Sequence, residues 1–259
     1  LAKWCLEYAL EVNDKITDTS VERLTEAEIS SWKHISSTIY FPKIEGSNIY
    51  LQQDGFLDKE QLTAGDIPEN QRPINQHWSW DRILRSIFIK QADVLQGIYL
   101  FEDHFDFATI EDNFDFYEPK TVHESSLSPC IHSILAAKIG RLDKAYELYL
   151  RTSRLDLDDY NHEADEGLHI TSMAGTWMAI VEGMAGIRVL TDSVKMNPVI
   201  PNNWKQYQFQ ILVRNQPLEI RVTKQECEIT NKGNQSIDII VFEQNIHIES
   251  GKTYFVQTT

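Results

Sequence analysis

The sequence predicts a mainly helical chain that closes with a small antiparallel β domain. Two observations carry this: apolar residues recur at helical spacing from the first residue to about residue 190, and after Arg188 the period falls to two. The expected division is 1–190 for the helical part and 191–259 for the β part.

Leu1, Trp4, Cys5, Tyr8, Ala9 and Val12 share one helical face with neither an initiator Met nor a cap before them. The chain therefore reads as starting inside a helix, as the C-terminal part of a longer polypeptide. Thr25-Glu-Ala-Glu28 has the form of a capping box ahead of Ile29, Trp32 and Ile35. Within 87–101, Val94, Leu95 and Ile98 lie on one face. Ser128 reads as an N-cap with Pro129 at the first helical position, where the missing N–H costs nothing. The helix so started buries Ile131, Ile134 and Leu135 and stops at Gly140; Leu142, Ala145, Tyr146 and Tyr149 mark the next. Thr171 or Ser172 is placed to cap a further helix carrying Trp177, Ile180, Val181 and Met184. Segments 41–80 and 102–128 read as loops too long for plain connectors, the kind that carries function. Beyond a link at Asn197-Pro-Val-Ile-Pro201, strands are expected at 207–213, 218–222, 237–239 and 246–248, separated by turn signals at Asn215-Gln-Pro217, Asn231-Lys-Gly-Asn234 and Ser250-Gly251.

Composition narrows the function. With 39 acidic against 24 basic residues the formal charge is -15, which repels a nucleic-acid backbone or an anionic membrane surface. No apolar run approaches the roughly 20 residues that cross a bilayer, and no basic stretch followed by an apolar one marks the start as a secretory signal. Cys5, Cys130 and Cys227 are odd in number and widely spaced, which fits reduced, buried and inert thiols in a cytoplasmic protein.

The candidate chemistry lies at two helix starts. Thr121-Val-His-Glu-Ser-Ser-Leu-Ser-Pro-Cys130 brings His123, Glu124, Ser125 and Ser126 to one, and Gly167-Leu-His-Ile-Thr-Ser172 brings His169, Thr171 and Ser172 to the other. Unpaired N–H groups and the helix dipole favour an anion there, so the two motifs together point to one oxyanion; hydroxyls at helix starts also serve as caps that bind nothing. Trp78 and Trp80, with Gln76 and His77 beside them, offer the flat faces and hydrogen-bonding groups of a sugar platform, or else anchor a loop in the core. Lys90 and Gln91, read at a helix start, could supply an ammonium to an anion and an amide to a hydroxyl. His162 and His169 are seven apart, unlike the HExxH arrangement, so no metal is expected. No GxSxG elbow, P-loop or GxGxxG is present.

Five blocks, Gln71–Asp81, Ile89–Val94, His123–Pro129, Arg154–Asp158 and Gly167–Ser172, occur in the order seen in glycoside hydrolase family 65, which the chain resembles, most closely in its maltose-cleaving phosphorolytic branch. The resemblance runs through nearly the whole chain and is weakest in the β tail. It implies the later helices of an (α/α)6 barrel followed by a β-sandwich-like domain, and inverting phosphorolysis of an α-glucoside such as maltose to β-glucose 1-phosphate and glucose. It implies no cofactor beyond inorganic phosphate as co-substrate, and a possible homodimer. By position, Lys90 and Gln91 resemble the glucose-binding pair, with Trp78 on the sugar side. Ser125, Ser126 and His169, joined by His123 and Thr171 or Ser172, resemble the phosphate pocket. In a phosphorylase the phosphate is itself the nucleophile, so its side of the sugar needs donors that hold a dianion.

The family's general-acid glutamate falls upstream of the position matching Leu1, so this stretch is expected to be inactive without the preceding part of its polypeptide. Glu124 is the one acidic residue here suspected of a direct role; otherwise it orients His123 or binds loop N–H groups. Two other readings stay open. An inverting hydrolase would use Glu124 to activate water, and a non-catalytic sugar- or phosphate-binding module would lack an acid anywhere. Trehalose, kojibiose, nigerose and trehalose 6-phosphate remain alternative substrates.

Overall fold

The computed structural model describes residues 1–18, 20–190 and 193–258. The chain forms two compact units, Leu1–Asp54 and Gly55–Thr259. The first contains α1 (Ala2–Lys15) and α2 (Glu26–Thr38), which pack on each other. The capping box at Thr25 forms as expected: the Glu28 N–H donates to the Thr25 hydroxyl at 3.2 Å, and the Thr25 N–H donates to the Glu28 carboxylate at 2.8 Å. Cys5 is exposed, against the expectation of a buried thiol, because the face carrying Trp4, Tyr8 and Val12 is itself exposed.

In the second unit the helices are α3 (Ile74–His77), α4 (Trp80–Arg85), α5 (Asp93–Leu100), α6 (Phe107–Tyr117), α7 (Ser128–Lys138), α8 (Leu142–Ser153), α9 (Leu155–Asp158) and α10 (Ile170–Met178). α6 lies within the stretch read as a loop. Its start is set by Asp106, whose carboxylate accepts the Thr109 N–H at 2.8 Å, and its Ile110, Phe114 and Tyr117 are buried at helical spacing. The core runs along α7, every residue of which from Ser128 to Ala137 is buried. A helix buried all round has no polar face to show in sequence, and its polar residues must be small, neutral or hydrogen-bonded. Ser133 meets this by donating to the Ala145 carbonyl on α8 at 2.7 Å. Gly140 ends the helix, as expected, at φ 78°.

α10 continues into a π-helical turn, Ala179–Met184, which packs on α7. A Cβ on Gly183 there would lie 3.3 Å from the Cα of Ile134. Of the face expected for this helix, Val181 and Met184 are buried while Trp177 is 52% exposed.

Strands begin at Arg188, ahead of the expected link. β1 (Arg188–Val189), β2 (Val194–Met196), β6 (Ile237–Val241) and β7 (Gln244–Ile248) form one sheet; β3 (Gln206–Val213), β4 (Gln216–Thr223), β5 (Glu226–Asn231) and β8 (Thr253–Gln257) form the other, in that order. Pairing is antiparallel except between β2 and β6, which run parallel with Lys195 opposite Ile240. The segment read as a link therefore joins two strands of different sheets. Arg214 and Asn215, both at positive φ, make the β3–β4 turn, so Pro217 falls inside β4 rather than in the turn. The sheets dock on the helices through Tyr207, whose hydroxyl lies 2.9 Å from the Met184 carbonyl and 3.0 Å from that of Val199.

Candidate functional site: two loops joined at Ser126

The two predicted motifs meet. The Thr171 hydroxyl donates to the Ser126 hydroxyl at 2.6 Å, and the Ser172 hydroxyl to the Ser126 carbonyl at 3.4 Å. The hydroxyls are not caps, as the sequence had suggested. Ser128 is the first residue inside α7, and its oxygen lies 3.0 Å from Nδ1 of His123; Thr171 and Ser172 are inside α10, whose capping position is His169. Cross-links between elements have taken the hydroxyls that local capping would use. Ser125 is buried and its oxygen accepts the Leu127 N–H at 3.2 Å.

His123 faces the interior. Its backbone sits at φ 55°, its ring is buried, and it stands edge-on to His132 of α7 at 4.6 Å between centroids. Burial first, then the neighbouring His132, Arg151 and Lys144, hold it well below the ordinary histidine pKa, so it is neutral. This ring floors the loop instead of facing an anion, which corrects the sequence expectation. Arg151 of α8 fixes the same residue by donating to its carbonyl at 3.0 and 3.3 Å.

Glu124 is 4% exposed. One carboxylate oxygen accepts the Ile74 N–H at 2.7 Å across fifty residues of chain, and the other is buried without a hydrogen-bond partner. Burial raises its pKa, opposed by the N–H groups of Ile74 and Asn75 and by Arg72 and Arg151.

His169 is held by Asp156, which accepts its backbone N–H at 3.0 Å and stands 2.5 Å from its Nδ1. That bond fixes the proton on Nδ1 and leaves Nε2 as the acceptor nitrogen, 3.6 Å from a Glu163 oxygen. The same contact, ring first and N–H second, lowers the Asp156 carboxyl. Arg151 carries no local spacing signal and is recognisable only through the distant residue it holds; Asp156 falls in the Arg154–Asp158 block, but no spacing there tells that it holds His169.

Lys90 and Gln91 are exposed and precede α5 rather than starting it. A single parallel bridge links Ile89 to Thr121, with the Ile89 N–H donating to the Lys120 carbonyl at 3.0 Å and the Val122 N–H to the Ile89 carbonyl at 2.9 Å. Both strands leave the bridge in the same direction, so Lys90 and Gln91 run beside Val122 and His123. Trp78 is less open than a sugar platform requires. Arg82 lies 3.6 Å over its ring, Phe88 packs at 5.7 Å, and its N–H donates to Gln71 at 2.9 Å. The exposed indole is Trp80, at 71%.

A cavity of about 520 Å³ lies elsewhere, at the other end of α7, lined by Glu102, Lys138, Glu182, Arg188 and Lys195 among others. Eleven helical residues put it about 15 Å from the Ser126 loop. Among the described residues no three His, Cys, Asp or Glu side chains gather as a metal site needs, and no helix is long and apolar enough to cross a membrane.

A helical core in which two hydroxyl- and histidine-bearing loops meet, followed by two β-sheets, defines the class, and comparison supplies the family. Residues 1–178 match the glycosyl hydrolase family 65 central catalytic domain, and residues 187–248 match the C-terminal domain of that family. The chain belongs to glycoside hydrolase family 65. It is 45% identical over 251 residues to the maltose phosphorylase of Bacillus subtilis (strain 168), covering 96% of this chain and 33% of that protein. It is 37% identical over 261 residues to the alpha,alpha-trehalose phosphorylase of Thermoanaerobacter brockii, covering 97% and 34%. A solved chain provisionally named a kojibiose phosphorylase, from human microbiome, superposes with a TM-score of 0.89 at 33% identity, covering 98% of this chain and 36% of that one. The chain thus spans about a third of the length of the curated relatives it matches.

Proposed function

We propose that the full-length protein carrying this chain phosphorolyses an α-glucosidic disaccharide with inversion, converting maltose and phosphate to β-glucose 1-phosphate and glucose. The observation that supports this most is the Ser126–Thr171 contact, which brings both hydroxyl- and histidine-bearing motifs to one place. Ser125, Ser126, Thr171 and Ser172 orient the phosphate oxygens, and His169, braced by Asp156, offers Nε2 as the acceptor for the hydroxyl of hydrogen phosphate. Lys90 and Gln91 hold the glucose unit from the adjoining strand. The phosphate attacks the anomeric carbon from this side as the glycosidic bond breaks. The leaving oxygen takes its proton from an acid on the opposite face, supplied by the full-length protein.

Burial of Glu124 favours phosphorolysis over hydrolysis. A base for water needs an open carboxylate, and this one is 4% exposed with an oxygen committed to Ile74. Maltose is the first substrate to test because the B. subtilis maltose phosphorylase is 45% identical to this chain, against 37% for the T. brockii trehalose phosphorylase. We take residues 1–190 as barrel helices and site loops and 191–259 as the C-terminal domain. Free thiols at all three cysteines fit a cytoplasmic location. The test is to incubate the full-length protein with phosphate and maltose, trehalose or kojibiose, and follow glucose 1-phosphate and its anomer by NMR. Sugar cleavage that proceeds equally well without phosphate would sink the proposal.

A further inference from the structure

We propose that Glu124 is a positioning residue: its buried carboxylate fastens the head of α3 to the Ser125–Ser126 loop and so fixes where the two serine hydroxyls meet phosphate. This rests on the phosphorolytic reading above. Residues 123 and 124 are each clamped from behind, by different elements. Arg151 of α8 grips the His123 carbonyl with two N–H groups, and the Ile74 N–H of α3 engages Glu124 at 2.7 Å. The next residues, Ser125 and Ser126, carry the hydroxyls, and one is cross-linked to α10 through Thr171. Neighbouring Cα atoms are about 3.8 Å apart, so a shift of Glu124 is passed directly to Ser125.

The arrangement also solves an electrostatic problem. A carboxylate adjacent to a phosphate pocket repels the dianion if it turns toward it. Here it is turned into the protein, where the Ile74 N–H donates to it at 2.7 Å and the charges of Arg72 and Arg151 favour the carboxylate. Its charge is spent inside the fold, while the bond to Ile74 couples the Gln71–Asp81 block to the phosphate loop.

The test compares Glu124→Gln with Glu124→Ala in the full-length enzyme, reading KM for phosphate, KM for disaccharide, the pH profile of kcat/KM, and hydrogen exchange at the Ile74 amide. Glutamine keeps an oxygen for the Ile74 N–H, so it should retain phosphorolysis within about tenfold, with an unchanged pH profile and a protected amide. Alanine should expose that amide and raise KM for phosphate by about tenfold or more beyond any change in KM for disaccharide. Loss of a limb of the pH profile in Glu124→Gln, or a protected Ile74 amide in Glu124→Ala, overturns the proposal. Should alanine fail to fold, the glutamine profile and its Ile74 exchange decide alone: an unprotected amide in that variant rejects the clamp. Failure of the underlying reading shows separately, as a wild-type enzyme with no phosphate dependence.

Discussion

Acidification should weaken the fold through His132, by an amount that its surroundings fix. The ring is fully buried on α7, between Phe114 at 5.9 Å and His123 at 4.6 Å, and neither nitrogen has a hydrogen-bond partner. Burial chiefly, with Lys144 adding to it, pushes its pKa from 6.5 down to about 3. Unfolding returns the ring to water, where it takes up a proton near its ordinary value. Stability from this residue is therefore complete above pH 6.5 and is lost as the pH falls toward about 3. A drop from pH 7 to pH 5 covers about 1.5 units of that window, or about 2 kcal/mol. His132→Phe removes the titration, and because no hydrogen bond is lost it should change stability at pH 7 by only about 1 kcal/mol. Urea unfolding at pH 5, 6 and 7 measures both proteins. The stability lost between pH 7 and pH 5 should be smaller in the variant by about 2 kcal/mol; His123 remains and titrates in the same direction, so the slope shrinks without vanishing. Equal pH dependence in the two proteins refutes the reasoning, since a ring able to hold its proton in the folded state contributes none.

Other expectations follow from single contacts. Gly186→Ala should lower stability by about 2–3 kcal/mol in thermal unfolding, because φ is 61° and the new Cβ would lie 2.8 Å from the Asn197 carbonyl, which is backbone and cannot yield. Tyr207→Phe should cost about 1 kcal/mol by the same measurement, the loss of the hydroxyl shared by the Met184 and Val199 carbonyls. Thr171→Val in the full-length enzyme should raise KM for phosphate while leaving the unfolding midpoint within about 1 kcal/mol, since one exposed hydrogen bond is lost. Gln91→Ala should damage disaccharide turnover far more than folding, as its side chain is exposed; unchanged kinetics removes it from the site.

Where one face of an element is apolar, the sequence shows it. The Thr25 capping box, the stop at Gly140 and the alternation of Tyr207 to Val213 are local patterns, and each appears in the structure. α6 escaped because its aromatic residues and Phe-Asp-Phe pattern resemble a loop, although Asp106 gave a start signal. β5 hides its inward face behind Cys227 and Asn231, and β8 is half exposed, so neither shows a clean alternation of apolar and polar residues. At the candidate site, spacing singles out residues but not the directions of their side chains. Ser128 and Thr171 look like caps until partners outside their helices, His123 and Ser126, engage their oxygens. His123 looks like a ligand until α7 supplies His132 to receive its ring. The parallel pairing of β2 with β6 joins segments more than forty residues apart, which no local window contains.

The rung between Ile89 and Thr121 sets a dimension of the proposed site in main-chain atoms. Lys90 and Gln91 on one strand and His123 to Ser126 on the other hang from the same pair of peptide hydrogen bonds, so side-chain replacement changes what is grasped at either end but not their separation. On the proposed reading, a glucosyl unit and a phosphate held across that interval would keep one spacing whichever second sugar is attached. Discrimination between disaccharides would then fall to groups outside the span, and exchange of those groups would redirect the choice of sugar while leaving the geometry of attack intact.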